Sequence, residues 1–279
     1  MEKRFQKGFA FNINYTYGDA VVVHEPTSSV NLSQWSFVET VNGRNYIERS
    51  TSDFSLGHRI FAYASKKFTY FRKTLGTTVT LVFTGQSGNP FSYVYQTNSA
   101  VRDLANSATT NDLIYIPTAA DLASQTFLSN TIGTTTYTPQ QQKDALEAYI
   151  QNNKYLSKHR GEFAERNGDR MPFTKILDLS LKQDVNIGVG KRRYQFQVGY
   201  DIFNFTNMLN RNWGRTYFLS NDNIGVIGFA GYVSSTNLTP QYRFTPTLNQ
   251  PQAINNISTT SVPSFSARWT SQVSLRFNF

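Results

Sequence analysis

The chain has 279 residues, a formal net charge of +9 and no cysteine, which excludes a disulfide framework, thiol chemistry and a cysteine-held zinc. Aromatic residues reach 15% while charged residues are only 16%, against about 25% in an ordinary soluble domain. The basic residues are scattered, with small clusters at Lys66-Lys67, Arg72-Lys73 and Lys191-Arg192-Arg193, so the charge does not read as a nucleic-acid surface.

No stretch is apolar enough for a transmembrane helix. The first residues are basic but lack the apolar run of a signal peptide. Beyond them, period-2 alternation begins. Phe9, Phe11, Ile13, Tyr15 and Tyr17 alternate with Ala10, Asn12, Asn14 and Thr16, which predicts a strand with two unlike faces. His58–Phe68 is a weaker case. Val79, Leu81 and Phe83 then alternate with Thr78, Thr80, Val82 and Thr84.

Between the third and fourth strands lies a helix signal. Thr138 stands as N-cap, Pro139 at the first helical position and Gln141 at the capping-box position. Leu146, Tyr149 and Ile150 give the helix a modest apolar stripe, expected to pack on a barrel mouth.

Alternation resumes with Leu177, Leu179 and Leu181 against Asp178, Ser180 and Lys182. It continues with Tyr194, Phe196, Val198, Tyr200 and Ile202 against Gln195, Gln197, Gly199 and Asp201. In the last strand Trp269, Val273, Leu275, Phe277 and Phe279 oppose Arg268, Thr270, Gln272, Ser274, Arg276 and Asn278.

A soluble sandwich alternates too, but three features separate the two cases. The strands are long, at about ten residues against the usual five or six. Aromatics gather toward the ends of the apolar faces, with Tyr17, Tyr194, Trp269 and, in a loop, Trp213 expected at the membrane interface. Short links near Thr69–Thr74 and Asn186–Lys191 alternate with long ones at Asp19–Asp53, Gly88–Pro172 and Asn207–Phe265. The reading is an all-β, antiparallel transmembrane β-barrel segment of about six long strands, with long extracellular loops and one loop helix. Asp178, Lys182, Asp201, Arg268 and Arg276 should then face the lumen, as a wet wall with salt-bridge partners. The expected location is the outer membrane.

Six strands are too few to close a membrane barrel, and open edges in lipid are costly. Residues 1–279 therefore read as the C-terminal part of a longer chain. Other functional classes lack support. His24, His58 and His159 have no metal-ligand spacing. Ser87 has no patterned base nearby, and Gly188–Lys191 is not a phosphate-binding loop. No catalytic constellation is present, no cofactor is implied, and the chain reads as a non-enzyme. The stretch "RNGDR" reads as a polar turn whose acids and arginines hold the loop's return into the strand.

The ordered segments "GQSGNPFSYVY", "NDLIYIP", "RGEFAERNGDRMPF", "LDLSLKQDV", "DIFNFTNMLNRNWG" and "ARWTSQVSLRFNF" resemble the C-terminal barrel region of TonB-dependent outer-membrane receptors of the Bacteroidetes type, the Oar-like and SusC/RagA-like groups. The resemblance covers nearly the whole chain. It implies membership of a barrel of about 22 strands, with a plug and a TonB box that this segment lacks. It implies energised uptake of a large nutrient, with outer-membrane lipid, the TonB complex, the barrel-assembly machinery and a surface lipoprotein lid as partners. Leu275, Phe277 and Phe279 look like the assembly signal of the last strand. A structural, adhesin-like or secretion-linked barrel is the alternative.

Overall fold

The computed structural model describes residues 2–25, 28–96, 111–190, 192–219, 222–248, 252–254 and 268–279. The Phe265 end of the third long link lies outside them. In chain order the principal elements are β1 (Glu2–Gln6), β2 (Phe9–Gly18), α1 (Asn31–Ser36), β3 (Gly57–Tyr70), β4 (Leu75–Gln86), β5 (Pro90–Gln96), α2 (Ala119–Ser124), β6 (Thr126–Phe127) and α3 (Pro139–Asn152). Then come β7 (Asp169–Arg170), β8 (Thr174–Val189), β9 (Arg192–Phe203), α4 (Phe205–Leu209), β10 (Asn223–Tyr232), β11 (Pro240–Phe244) and β12 (Thr270–Asn278).

The wall is a seven-stranded sheet in the order β1-β2-β3-β4-β8-β9-β12, with every neighbour antiparallel. All six expected strands are in it, and two run well beyond the lengths read from sequence: β3 has 14 residues and β8 has 16. The seventh, β1, lies in the basic start of the chain, ahead of the six strands read from sequence. Its segment EKRFQ carries no alternation to announce a strand. It forms because Lys7 and Gly8, at φ +52° and +73°, turn the chain back onto β2. The short links also tighten: residues 71–74 join β3 to β4, and β9 begins at Arg192, close after β8 ends at Val189, with the Lys191 end of that link outside the described residues.

Register shows why the alternation matters. Directly opposed residues share a face. Phe11, Ala64, Leu81, Leu179 and Ile202 form one row across five strands, and Lys66, Val79, Leu181, Tyr200 and Val273 form another. On the other face run Ala10, Ser65, Thr80, Ser180, Asp201 and Gln272. The period of two in the sequence therefore becomes one aliphatic-aromatic face and one hydroxyl-rich, charged face.

The long links do more than connect. The sheet β7-β5-β10-β11-β6 is built entirely from the second and third of them. Its β5–β10 and β11–β6 pairings are parallel. Helix α3 packs on this sheet, and its cap is the expected one: Thr138 Oγ1 accepts from Gln141 N at 3.3 Å, and Gln141 Oε1 accepts from Thr138 N at 2.9 Å. Leu146 and Ile150 are fully buried and join Phe91, Ile114, Ile116, Val226 and Phe244 in one apolar core. Tyr149 packs against that core from its margin. The helix thus gives its stripe to the second sheet. Gln142, also fully buried, ties helix to sheet through Oε1, which accepts from Phe244 N at 2.9 Å. The hydrophobic core of this chain lies in its loops. The long loops are present as expected, and where one loop helix was expected they form a cored α+β module carrying α2 and α3, with α1 in the first link and α4 where β9 passes into the third.

Candidate functional site

Where the polar face of the wall meets the loop module there is a cavity of about 270 Å³. Thr84, Gln86, Thr174 and Ile176 line it from the wall, and Asn89, Met171 and Tyr217 from the loops. The four wall residues lie in polar-face register at the long-loop end of β4 and β8. Hydroxyls, amides and one phenol above an otherwise wet surface can hydrogen-bond a neutral polar ligand and stack its apolar side.

Above this cavity the first link is fastened to the second. Arg166 donates to Ser50 Oγ at 2.5 Å and to Val23 O at 2.8 Å. Asn167, in the left-handed region at φ +56°, donates from Nδ2 to Thr51 O at 2.8 Å and to Asp53 Oδ1 at 2.6 Å. Arg170 donates to Ser55 O at 2.9 Å and to Ser55 Oγ at 2.7 Å. These three residues belong to "RNGDR". The turn was expected to steer its own loop back into β8, and it also clasps a different loop. Within the motif Asp169 faces the module's core, where its Oδ2 accepts from Tyr93 Oη at 2.7 Å. Burial first, and the Asp169 carboxylate second, push the Tyr93 phenol far above its ordinary value.

The clasp contains a titrating group. Glu39 is raised from 4.5 to about 7, chiefly by burial, with Asp53 adding to the effect and Arg166 and Asn223 opposing it. Burial is also the main cause of the rise at Asp53, helped by Glu25. A carboxyl whose folded value exceeds its unfolded value holds a proton in the folded state that the unfolded state has lost. Its contribution is complete below pH 4.5 and disappears as pH rises through about 7. The expected result is tighter docking of the first link at pH 5.5 than at pH 8. Hydrogen exchange of the residue 38–40 amides, corrected for intrinsic rates, measures it, and Glu39→Gln should remove the difference.

The residues singled out from sequence fall as follows. Asp178, Lys182, Asp201 and Arg276 share the polar face, with Asp201 opposite Gln272 and Arg276 opposite Gln197. Asp178 Oδ1 accepts from Asn204 N at 2.7 Å, which closes the end of β9. Arg268 is exposed in the bend before β12. Tyr17 stands at the long-loop end of β2 beside His58, ring centroids 4.9 Å apart. Tyr194 lies near the opposite end of β9, parallel to Phe277 at 6.1 Å. Trp269 precedes β12 and donates from its backbone N to Asn207 Oδ1 at 3.3 Å. Trp213 is exposed after α4. Leu275 and Phe277 project from the apolar face of β12, and Phe279 is 93% exposed just past its end.

One central pair of the polar face escaped the sequence reading. Lys67 Nζ lies 2.8 Å from Asp184 Oδ2, and Asp184 Oδ1 accepts from Gln197 Nε2 at 2.7 Å. The partners are 117 residues apart, so only the strand order reveals them. His58 and His159 are engaged separately, with Tyr15 Oη and Tyr155 O, each at 2.8 Å.

Long amphipathic strands, aromatics toward both ends and tight turns opposite a cored loop module agree with the comparison by family. A family model described as an outer membrane beta barrel domain matches residues 1–260. The chain belongs to the outer membrane beta barrel domain family. No curated protein and no solved structure matches it. In this outer-membrane barrel domain the apolar face meets lipid, the polar face meets the lumen, and the loop module is extracellular.

Proposed function

We propose that this barrel domain is the barrel portion of a TonB-dependent receptor for energised uptake of a large nutrient. The observation that carries the reading is the cored loop module standing over a lumenal cavity, because a plain structural wall has no need of a separately packed extracellular body. In this account the wall supplies the passage, the module and its cavity capture the ligand, and β12 completes assembly. Leu275, Phe277 and Phe279 present its terminal aromatic signal to the barrel-assembly machinery. A plug and a TonB box would connect capture to the TonB complex, and a surface lipoprotein could close over the module as a lid. The chain binds and passes its ligand without chemical change.

The test is uptake of labelled oligosaccharides, peptides and ferric chelates by cells carrying the receptor, with and without TonB, and with residues 90–170 replaced by a short linker. The reading expects one ligand class to enter only with TonB and only with the module, while the barrel still assembles. Assembly with uptake unaffected by either removal would favour a structural or adhesin-like barrel.

A further inference from the structure

On the face of the module sheet turned away from its core, three neighbouring strands place Gln96, Gly228 and Arg243 in one row. Glycine in the middle leaves a gap between an amide and a guanidinium. That gap opens into a cavity of about 250 Å³, also lined by Asn130 and Thr245. The volume is below the range of drug-sized sites and suits one small unit.

The hydrogen-bonding state of the lining gives the gap its chemistry. Gln96 donates its Nε2 to Gly225 O at 3.0 Å. Asn130 donates its Nδ2 to Phe244 O at 3.0 Å. Both amides are thereby oriented with their oxygens left as acceptors. A side chain at Gly228 would come within 3.7 Å of the Gln96 Oε1. The half-buried Arg243 guanidinium has no hydrogen bond or ion pair among the described residues. Its planar fork lies open to the cavity and matches a carboxylate in two parallel bonds.

We infer that this cavity binds a carboxylate flanked by hydroxyl groups, as on a uronic acid unit. The carboxylate takes the Arg243 fork, and the neighbouring hydroxyls donate to Gln96 Oε1 and Asn130 Oδ1. Phosphate fits less well, because its oxygens would face those two acceptors without protons to give them. The site deepens the capture reading by naming a ligand group, and its role in uptake rests on that reading, whereas binding stands on its own.

The experiment is calorimetric titration of the full chain in detergent micelles with galacturonate, galactose and galactose 6-phosphate. Galacturonate should bind saturably at one site, at least about tenfold more tightly than galactose, as charge-assisted bonds require. Arg243→Gln should reduce galacturonate to the level of galactose, and Arg243→Lys should fall between. Gly228→Leu should abolish binding by filling the gap. Gly228→Ala should retain it, since the added carbon meets its nearest neighbour at 3.5 Å. Heat-modifiable electrophoretic mobility confirms that each variant is folded. Equal binding of galacturonate and galactose, unchanged binding by Arg243→Gln, or tighter binding of the phosphate ester would overturn the assignment. TonB-dependent uptake without uronate binding would overturn this site alone, and uronate binding without such uptake would overturn the transport reading alone.

Discussion

Phe91→Ala should unfold the extracellular module and leave the barrel wall standing. Phe91 is 1% exposed on β5, its ring 5.1 Å from that of Tyr93 in an edge-on contact. Removing it opens a cavity beside Tyr93 in the core that also holds Ile114, Ile116, Leu146 and Phe244, and such truncations cost roughly 3–5 kcal/mol. The wall draws its stability from a different source, the continuous ladders of β2, β3, β4, β8, β9 and β12. A loss confined to the module should therefore appear as local opening. Limited proteolysis is the measurement. New cuts between residues 88 and 172, with the heat-modifiable mobility of the barrel retained, are expected. Loops as resistant as in the parent, or simultaneous loss of the barrel, would show that module and wall do not fold as separate units.

The second large effect is expected inside the lumen. Lys67 on β3 reaches across β4 to Asp184 on β8, and it can do so because Gly76 lies between them. A side chain at Gly76 would meet Lys67 Cε at 3.3 Å and Asp184 Cβ at 3.6 Å. The side chain of Asp184 is 3% exposed and that of Lys67 39%. Lys67→Met leaves a buried carboxylate anchored only by neutral amides such as that of Gln197. Breaking a buried pair costs about 3–5 kcal/mol, and the exposure of Lys67 places this case near 3 kcal/mol. Adding Asp184→Asn should recover most of the loss, because the uncompensated charge is gone. Urea midpoints of the refolded chain give the double-mutant cycle. Additive losses, without coupling, would remove the pair from the account.

The wall was legible because each long strand carries its own two faces. Phe9 to Tyr17 or Leu177 to Leu181 can be read without knowing any partner, since the membrane and the lumen impose the alternation on each strand separately. The cap of α3 was equally local, needing only Thr138, Pro139 and Gln141. The module was not legible for the opposite reason. Pro90–Gln96 is buried on both faces along most of its length, so the alternation of Phe91, Tyr93 and Tyr95 with Ser92 and Val94 does not say which face meets a core. Its partner β10 pairs with it in parallel from more than a hundred residues away, and no turn between them signals the match. The candidate sites divide in the same way. The polar-face positions of Asp178, Lys182 and Asp201 follow from parity. The clasp by Arg166, Asn167 and Arg170, the Lys67–Asp184 pair and the Gln96–Gly228–Arg243 row depend on which strands and loops become neighbours.

β8 and its neighbours should span a membrane with one face in lipid and the other in water. The chain has no cysteine of its own, so single-cysteine variants test this cleanly. Leu179→Cys and Leu181→Cys lie on the apolar face, and Ser180→Cys and Lys182→Cys on the polar face. In the assembled barrel in lipid bilayers, a charged, membrane-impermeant maleimide should label positions 180 and 182 and spare 179 and 181. A lipid-borne quencher should dim a fluorophore at 179 and 181 alone. Labelling at all four positions, or quenching without the two-residue period, would contradict a membrane-spanning wall.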